Sequence, residues 1–221
     1  MSDNFNPIFI NSTLRILEKR CLILLCEGYD VVKSNSEVSI DWDEEDISKE
    51  LIQCLKSNSK RIEWKIRIEP EHRIYENDGL AANKSPRIDF CFSTWTETEW
   101  EFFAEAKNLV EVDTPKINKK GKKGNTIIVS AKHLHNRYIS TGIDNYVSGR
   151  YPSNGCLIGY ILQGDSDRIV STINECLSGS SRTAEKLVRH SLELPDFNRC
   201  YLSTHNTFPA LKHLMFDLTP S

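Results

Sequence analysis

The segment Pro86–Lys107, PRIDFCFSTWTETEWEFFAEAK, brings two carboxylates and an ammonium to one place. Residues Arg87–Trp95 alternate Ile88, Phe90 and Phe92 with Arg87, Asp89 and Cys91. Residues Trp100–Asn108 alternate Phe102, Ala104 and Ala106 with Phe103, Glu105 and Lys107. Such period-two patterns predict two strands, and the short connection Thr96-Glu97-Thr98 predicts a hairpin. A turn centred on Glu97 sets Asp89 opposite Glu105, Cys91 opposite Phe103 and Ser93 opposite Glu101. Side chains two residues apart share a face, so Lys107 joins Asp89 and Glu105.

Directly opposed side chains have Cβ atoms about 4.5–5.5 Å apart, and like charges there repel. Lys107 offsets part of that repulsion, and a hard divalent cation would offset more. Carboxylate oxygens completed by water suit Mg²⁺ or Mn²⁺ better than zinc or copper. Such a site can activate water and stabilise negative charge on a phosphoryl group. The plainer reading is a hairpin with a solvated charged face. Against it, Phe103 shares that face, and the second strand is apolar on both sides until the charges begin.

Around the hairpin, Ser12–Cys26 has helical spacing in Leu14, Leu17, Cys21 and Leu24, with Gly28 placed to end the helix. A second helix is expected over Glu44–Lys56, with an acidic start and an Ile47, Leu51, Leu55 stripe. The alternation Ile62, Trp64, Ile66, Ile68 predicts a strand within Arg61–Tyr75. A lysine-rich loop around Lys116–Lys123 leads to a helix over Ser130–Arg150 and a buried strand over Gly155–Leu162. Helices near Asp167–Leu177 and Thr183–Ser191 follow, then short strands at Cys200–Thr204 and His213–Leu218. The expected class is α/β, a mixed β-sheet flanked by helices with an α-β-β-β-α-β core plus additions.

The chain has 221 residues, enough for one well-buried domain. We expect a helical addition at about 8–40, a core at about 41–164 and C-terminal additions at about 165–221. No apolar run approaches the roughly 20 residues of a membrane span, and the N-terminus lacks signal-peptide order, so a soluble cytosolic protein is expected. Seven cysteines without a CxxC predict reduced, mostly buried thiols. Neither they nor the six histidines have the linear spacing of a structural zinc motif. The net charge of −3 is unusual for a chain that grips duplex DNA unaided. It implies either one concentrated basic patch or a partner that supplies the grip.

Pro86, Asp89 and Glu105-Ala106-Lys107 resemble the PD-(D/E)xK motif of restriction-endonuclease-like nucleases. The proline stands three residues before the aspartate instead of adjacent to it. The resemblance implies a restriction-endonuclease-like fold in which Asp89 and Glu105 ligate Mg²⁺ or Mn²⁺ and Lys107 orients the attacking water. The activity implied is metal-dependent hydrolysis of DNA. Many members add an acidic residue from the helix before the sheet; Glu45 is favoured here, with Glu44 and Glu50 as alternatives. Lys119, Lys120, Lys122 and Lys123 would form a phosphate-binding loop, or else an ordinary solvated one. Lys132, His135, Arg137 and Tyr138 lie on the following helix, where the family often places a basic or polar residue; Lys132 and Arg137 are the candidates for contacting nucleic acid.

Tyr138–Leu162, Ser203-Thr204-His205 and His213-Leu214 resemble bacterial proteins of this superfamily found in phage defence. This implies an endonuclease effector in a larger complex, or a catalytically degenerate subunit that binds or scaffolds. A homodimer would be one way to cut both strands at once. His205 and His213 are expected to be structural.

Overall fold

The computed structural model describes residues 7–35, 37–74, 85–94, 100–117, 124–206, 208 and 210–220. Strands β1 (Ile66–Arg73), β2 (Arg87–Thr94) and β3 (Glu101–Val110) form an antiparallel meander. Cys91 pairs with Phe103 and Ser93 with Glu101, the register that a turn centred on Glu97 requires. The turn itself lies outside the described residues. A two-stranded ribbon, β4 (Thr114–Ile117) and β5 (Thr126–Val129), stands apart. Next, β6 (Gly155–Gln163) runs parallel to β3. With β7 (Val188–Arg189), β8 (Cys200–Ser203) and β9 (Leu211–Asp217) it completes a seven-stranded mixed sheet of order β1-β2-β3-β6-β9-β8-β7.

Alternation along β3 and β6 divides the core in two. Phe102, Ala104, Cys156, Ile158 and Tyr160 pack with Leu24 and Leu25 of α1 (Pro7–Asn35) and with Leu51 and Leu55 of α2 (Glu44–Ser57). Phe103, Leu157 and Ile161 pack with Tyr138, Tyr146, Ile169 and Ile173. Those last four come from the stretch α4 (Ala131–Arg137), a π turn (Tyr138–Ile143) and α5 (Asp144–Val147), and from α6 (Ser166–Gly179), once the short α3 (Ser59–Glu63) is counted earlier in the chain. The protein is therefore a mixed α/β fold with helices flanking its sheet. Among the described residues no helix is long and apolar enough to cross a membrane.

Several expectations are corrected. The first helix runs through Gly28 to Asn35. A Cβ on Gly28 would stand 2.8 Å from Leu51 Cδ1 and 2.9 Å from Leu55 Cδ2, so the glycine serves the close approach of α1 to α2. Ile62 belongs to a helix: Asn58 caps α3 through Lys60 N–H at 2.9 Å, and positive φ at Lys65 turns the chain into β1. The expected lysine-rich loop begins and ends in the β4–β5 ribbon; residues 118–123 lie outside the described residues. The helix expected over Ser130–Arg150 is interrupted by the π turn. Of the helix expected at Thr183–Ser191, only a 3₁₀ turn at Thr183–Glu185 exists. Beyond it the Asn174 amide donates to Leu187 O at 3.0 Å and accepts from Leu187 N–H at 2.8 Å, which holds the backbone for β7.

The C-terminal strands are fastened by a chain of buried polar contacts. Tyr138 Oη lies 2.9 Å from His213 Nδ1, and Ser203 Oγ lies 2.8 Å from both His213 Nε2 and His205 Nε2. His205 Nδ1 lies 2.6 Å from Glu185 Oε2. One ordering satisfies every atom: Tyr138 donates to His213, His213 to Ser203, Ser203 to His205 and His205 to Glu185. Burial, then the neighbouring His205, holds the His213 imidazole down at about 3, against an ordinary 6.5. Between those values the unfolded chain takes up a proton that the folded chain refuses, so this group destabilises the fold as pH falls. Its share of the slope is at most about 1.4 kcal/mol per pH unit. Urea unfolding of the wild type and His213→Asn at pH 7, 6 and 5 should therefore diverge, the variant having the shallower loss on acidification. Parallel slopes would show that His213 is charged in the fold.

Candidate active site

Past Phe90 the β2–β3 ladder stops, one pair short of Asp89 and Glu105. Asp89 Oδ2 accepts the Ala106 N–H at 2.7 Å, so a side chain takes the donor that a continuing β2 would have paired. β2 meanwhile stays with β1, pairing Ile88 with His72. The two strands part, and the charged patch lies where they do. β3 is flanked on its other side by β6, with Lys107 opposite Gly159. A Cβ on Gly159 would come within 2.7 Å of Leu109 Cδ1 and Met215 Sδ, so the sheet is tightly filled beside the patch.

Glu105 is 6% and Lys107 5% exposed. A buried ammonium requires partners. Lys107 Nζ donates to Glu105 Oε1 and, at 2.9 Å, to Ala106 O, and stands 3.7 Å from Glu44 Oε2. Glu44 also accepts the Asn108 N–H at 3.2 Å and receives Arg137 through Nη1 and Nη2, each at 3.3 Å. Burial raises the Asp89 carboxyl to about 6, against the pull of Lys107 and the Ala106 N–H. Burial and the charge of Asp89 push the Glu105 carboxyl upward, against the charge and hydrogen bond of Lys107. Burial works to lower Lys107, but Glu105, Glu44 and Asp89 together hold it above its ordinary value. Three carboxylates outnumber the positive charge they surround, in a place where charge is expensive.

The donor set fits a hard divalent cation. Glu105 Oε2 is buried and has no hydrogen-bond partner among the described residues, and Asp89 and Glu105 offer only oxygen. An open cleft of about 380 Å³ adjoins the patch through Glu44; Asp43, Glu45, Asn108, Lys116 and Arg137 also line it, while Asp89, Glu105 and Lys107 do not.

The structure thus brings Asp89, Glu105, Lys107, Glu44 and Arg137 together. Glu45 is exposed at the start of α2 and lines the cleft, whereas Glu44 Oε2 stands 3.7 Å from Lys107 Nζ. One helical step separates the two, and Asp43, which caps α2 and pairs with Lys116 Nζ at 2.7 Å, sets which of them turns inward. Glu50 lies further along α2, away from the cleft lining. Lys132 is exposed. His135 Nε2 meets Val110 O at 2.9 Å, and Tyr138 is committed to His213, so both are tied into the fold. Lys119, Lys120, Lys122 and Lys123 lie outside the described residues.

Sequence reasoning passed over Asn108, whose Nδ2 donates to Trp42 O at 3.1 Å while its buried Oδ1 is unpartnered among the described residues. The signal was an amide directly after Lys107 in a strand that turns apolar again at Leu109.

Glu44 and Glu45 should separate in stability. Removing a carboxylate that receives Arg137, Lys107 and a backbone N–H should cost about 1–3 kcal/mol, whereas an exposed first-turn glutamate is worth about 0.5 kcal/mol. Chemical denaturation of Glu44→Ala and Glu45→Ala checks this; equal losses would remove Glu44 from the network. No family model, curated protein or solved structure matches the chain, so the reading of this site rests on its own geometry.

Proposed function

We propose that the protein is a restriction-endonuclease-like nuclease that hydrolyses phosphodiester bonds of DNA with Mg²⁺ or Mn²⁺. The observation that carries the reading is the meeting of Asp89, Glu105 and Lys107 where β2 and β3 part, with Glu105 Oε2 buried and unpartnered. The order α2, β1, β2, β3, α4–α5, β6, with α3 and the β4–β5 ribbon inserted and β6 parallel to β3, supports it.

Asp89 and Glu105 would hold the cation, with Glu44 or Glu45 at the cleft side. When bound, the cation supplies a lowered water pKa and neutralises charge on the phosphoryl oxygens. The chain's own residues do the rest. The Ala106 N–H fixes one Asp89 oxygen, Oδ2. Lys107, freed from part of its contact with Glu105, orients the attacking water and donates to the phosphate oxygen on which negative charge grows. Arg137, held by Glu44, is at the rim of the cleft for the flanking phosphate.

The net charge of −3 supports a division of labour in which a partner protein or a second copy supplies most of the grip on DNA. We place the protein as the cutting subunit of a bacterial defence complex on the sequence resemblance alone. A second reading is a catalytically silent subunit. It is favoured by the closed contact of Lys107 with Glu105, both nearly fully buried.

Plasmid DNA, linear duplex DNA and single-stranded RNA, each incubated with the purified chain in Mg²⁺, Mn²⁺ or EDTA, decide between them. The nuclease reading expects metal-dependent cleavage that falls by about 10²–10³-fold in Lys107→Ala. Cleavage that persists in EDTA, or that Lys107→Ala leaves unchanged, overturns it. Inactivity on every substrate, alone and with its partner, leaves the silent subunit.

A further inference from the structure

Linear spacing contains no zinc motif, but the sheet register brings together residues that the sequence keeps apart. His72 on β1, Cys91 on β2 and Glu101 at the start of β3 each bring one possible donor atom together, all three within 4.8 Å of one another. Cys91 Sγ is 3.8 Å from Glu101 Oε1. Two such atoms on a tetrahedral zinc, with bonds of about 2.3 and 2.0 Å, stand about 3.5 Å apart. The thiol and the carboxylate are thus already near bonding separation. Among the described residues Glu101 forms no ion pair, and its side chain meets the Cys91 thiol.

The surroundings agree. Glu69 Oε2 lies 3.3 Å from His72 Nδ1, the kind of carboxylate that orients a ligating imidazole. Arg67, 3.7 Å from Glu69, balances part of the negative charge. Cys91 is buried, whereas Glu69 and Glu101 line an open cleft with Asn154, so the point has a dry side and a wet side. The Phe103 ring, 6.0 Å from that of His72, lies between Glu101 and Glu105 along β3.

We propose that His72, Cys91 and Glu101 bind one zinc ion, with water from the cleft as fourth ligand and Glu69 as the outer partner of His72. Thiolate and imidazole donors select zinc over the Mg²⁺ that suits an all-oxygen site. Binding converts the Cys91 thiol to a thiolate and releases its proton to solvent. The ion would clip β1, β2 and β3 together. The proposal does not depend on the nuclease reading.

The test uses the full chain, stripped with chelator, kept reduced with a phosphine and titrated with Co²⁺ alone. A thiolate-to-cobalt charge-transfer band saturating at one equivalent and displaced by Zn²⁺ is expected. It should vanish in Cys91→Ser and remain in Lys107→Ala. Glu101→Gln alters only an exposed side chain, so the fold should survive, as circular dichroism will report; Zn²⁺ affinity should still fall at least about tenfold, and Glu69→Gln should weaken it about 10–100-fold. Absence of the band, its survival in Cys91→Ser, or unchanged affinity in Glu101→Gln would each overturn the site.

Discussion

The Lys107 ammonium sits in the interior of the sheet, and much of the local architecture exists to make that tolerable. An unpaired ammonium in such a place is strongly destabilising, so it must be met by anions and by a backbone carbonyl. Glu105 on its own strand and Glu44 from α2 supply the anions. Glu44 in turn needs Arg137 from α4 and the Asn108 N–H to hold it in place. One buried charge thereby couples β3, α2 and α4, three elements that hydrophobic burial alone would leave free to slide. The interaction is a poor source of stability, since apolar residues of equal volume would pack at lower cost.

The second constraint is the loss of pairing at Asp89. A hairpin that kept its ladder would press Asp89 and Glu105 against each other with no space between them. By accepting the Ala106 N–H, Asp89 satisfies the backbone of β3 while β2 turns away with β1. The fold thus opens a gap at its most negative point without orphaning a backbone donor, which would cost more than the hydrogen bond itself contributes.

What was legible in the sequence followed from period. Strand alternation has only two phases, and a short turn leaves few registers, so Cys91 against Phe103 could be read directly. The apolar stripe of α2 was equally plain. Where the physics is tertiary, the reading failed. Gly28 has the look of a helix stop, yet only the leucines of α2, distant in sequence, explain it. Ile62 and Trp64 alternate as a strand would, but the Asn58 cap acts first. The choice of Glu44 over Glu45 as the partner of Lys107 turns on a single helical step, about 100° of rotation, which composition cannot resolve. The cluster of His72, Cys91 and Glu101 was invisible for a related reason: its members come from three strands, and no linear spacing encodes a sheet register.

These constraints meet in the β2–β3 hairpin, whose two ends have opposite electrostatic characters. At the Asp89 end the donors are hard oxygens around a fixed ammonium, with an open cleft beside them at Glu44. At the Glu101 end a thiol and an imidazole face a carboxylate. Phe103 between them is buried against Cys91 and Leu157 and keeps the two environments from merging. Hard and soft donor sets separated by an apolar ring can each keep their own selectivity, because a cation that suits one set is poorly served by the other. On the two proposed readings, a single hairpin carries both a reactive patch and the means of holding its strands in register.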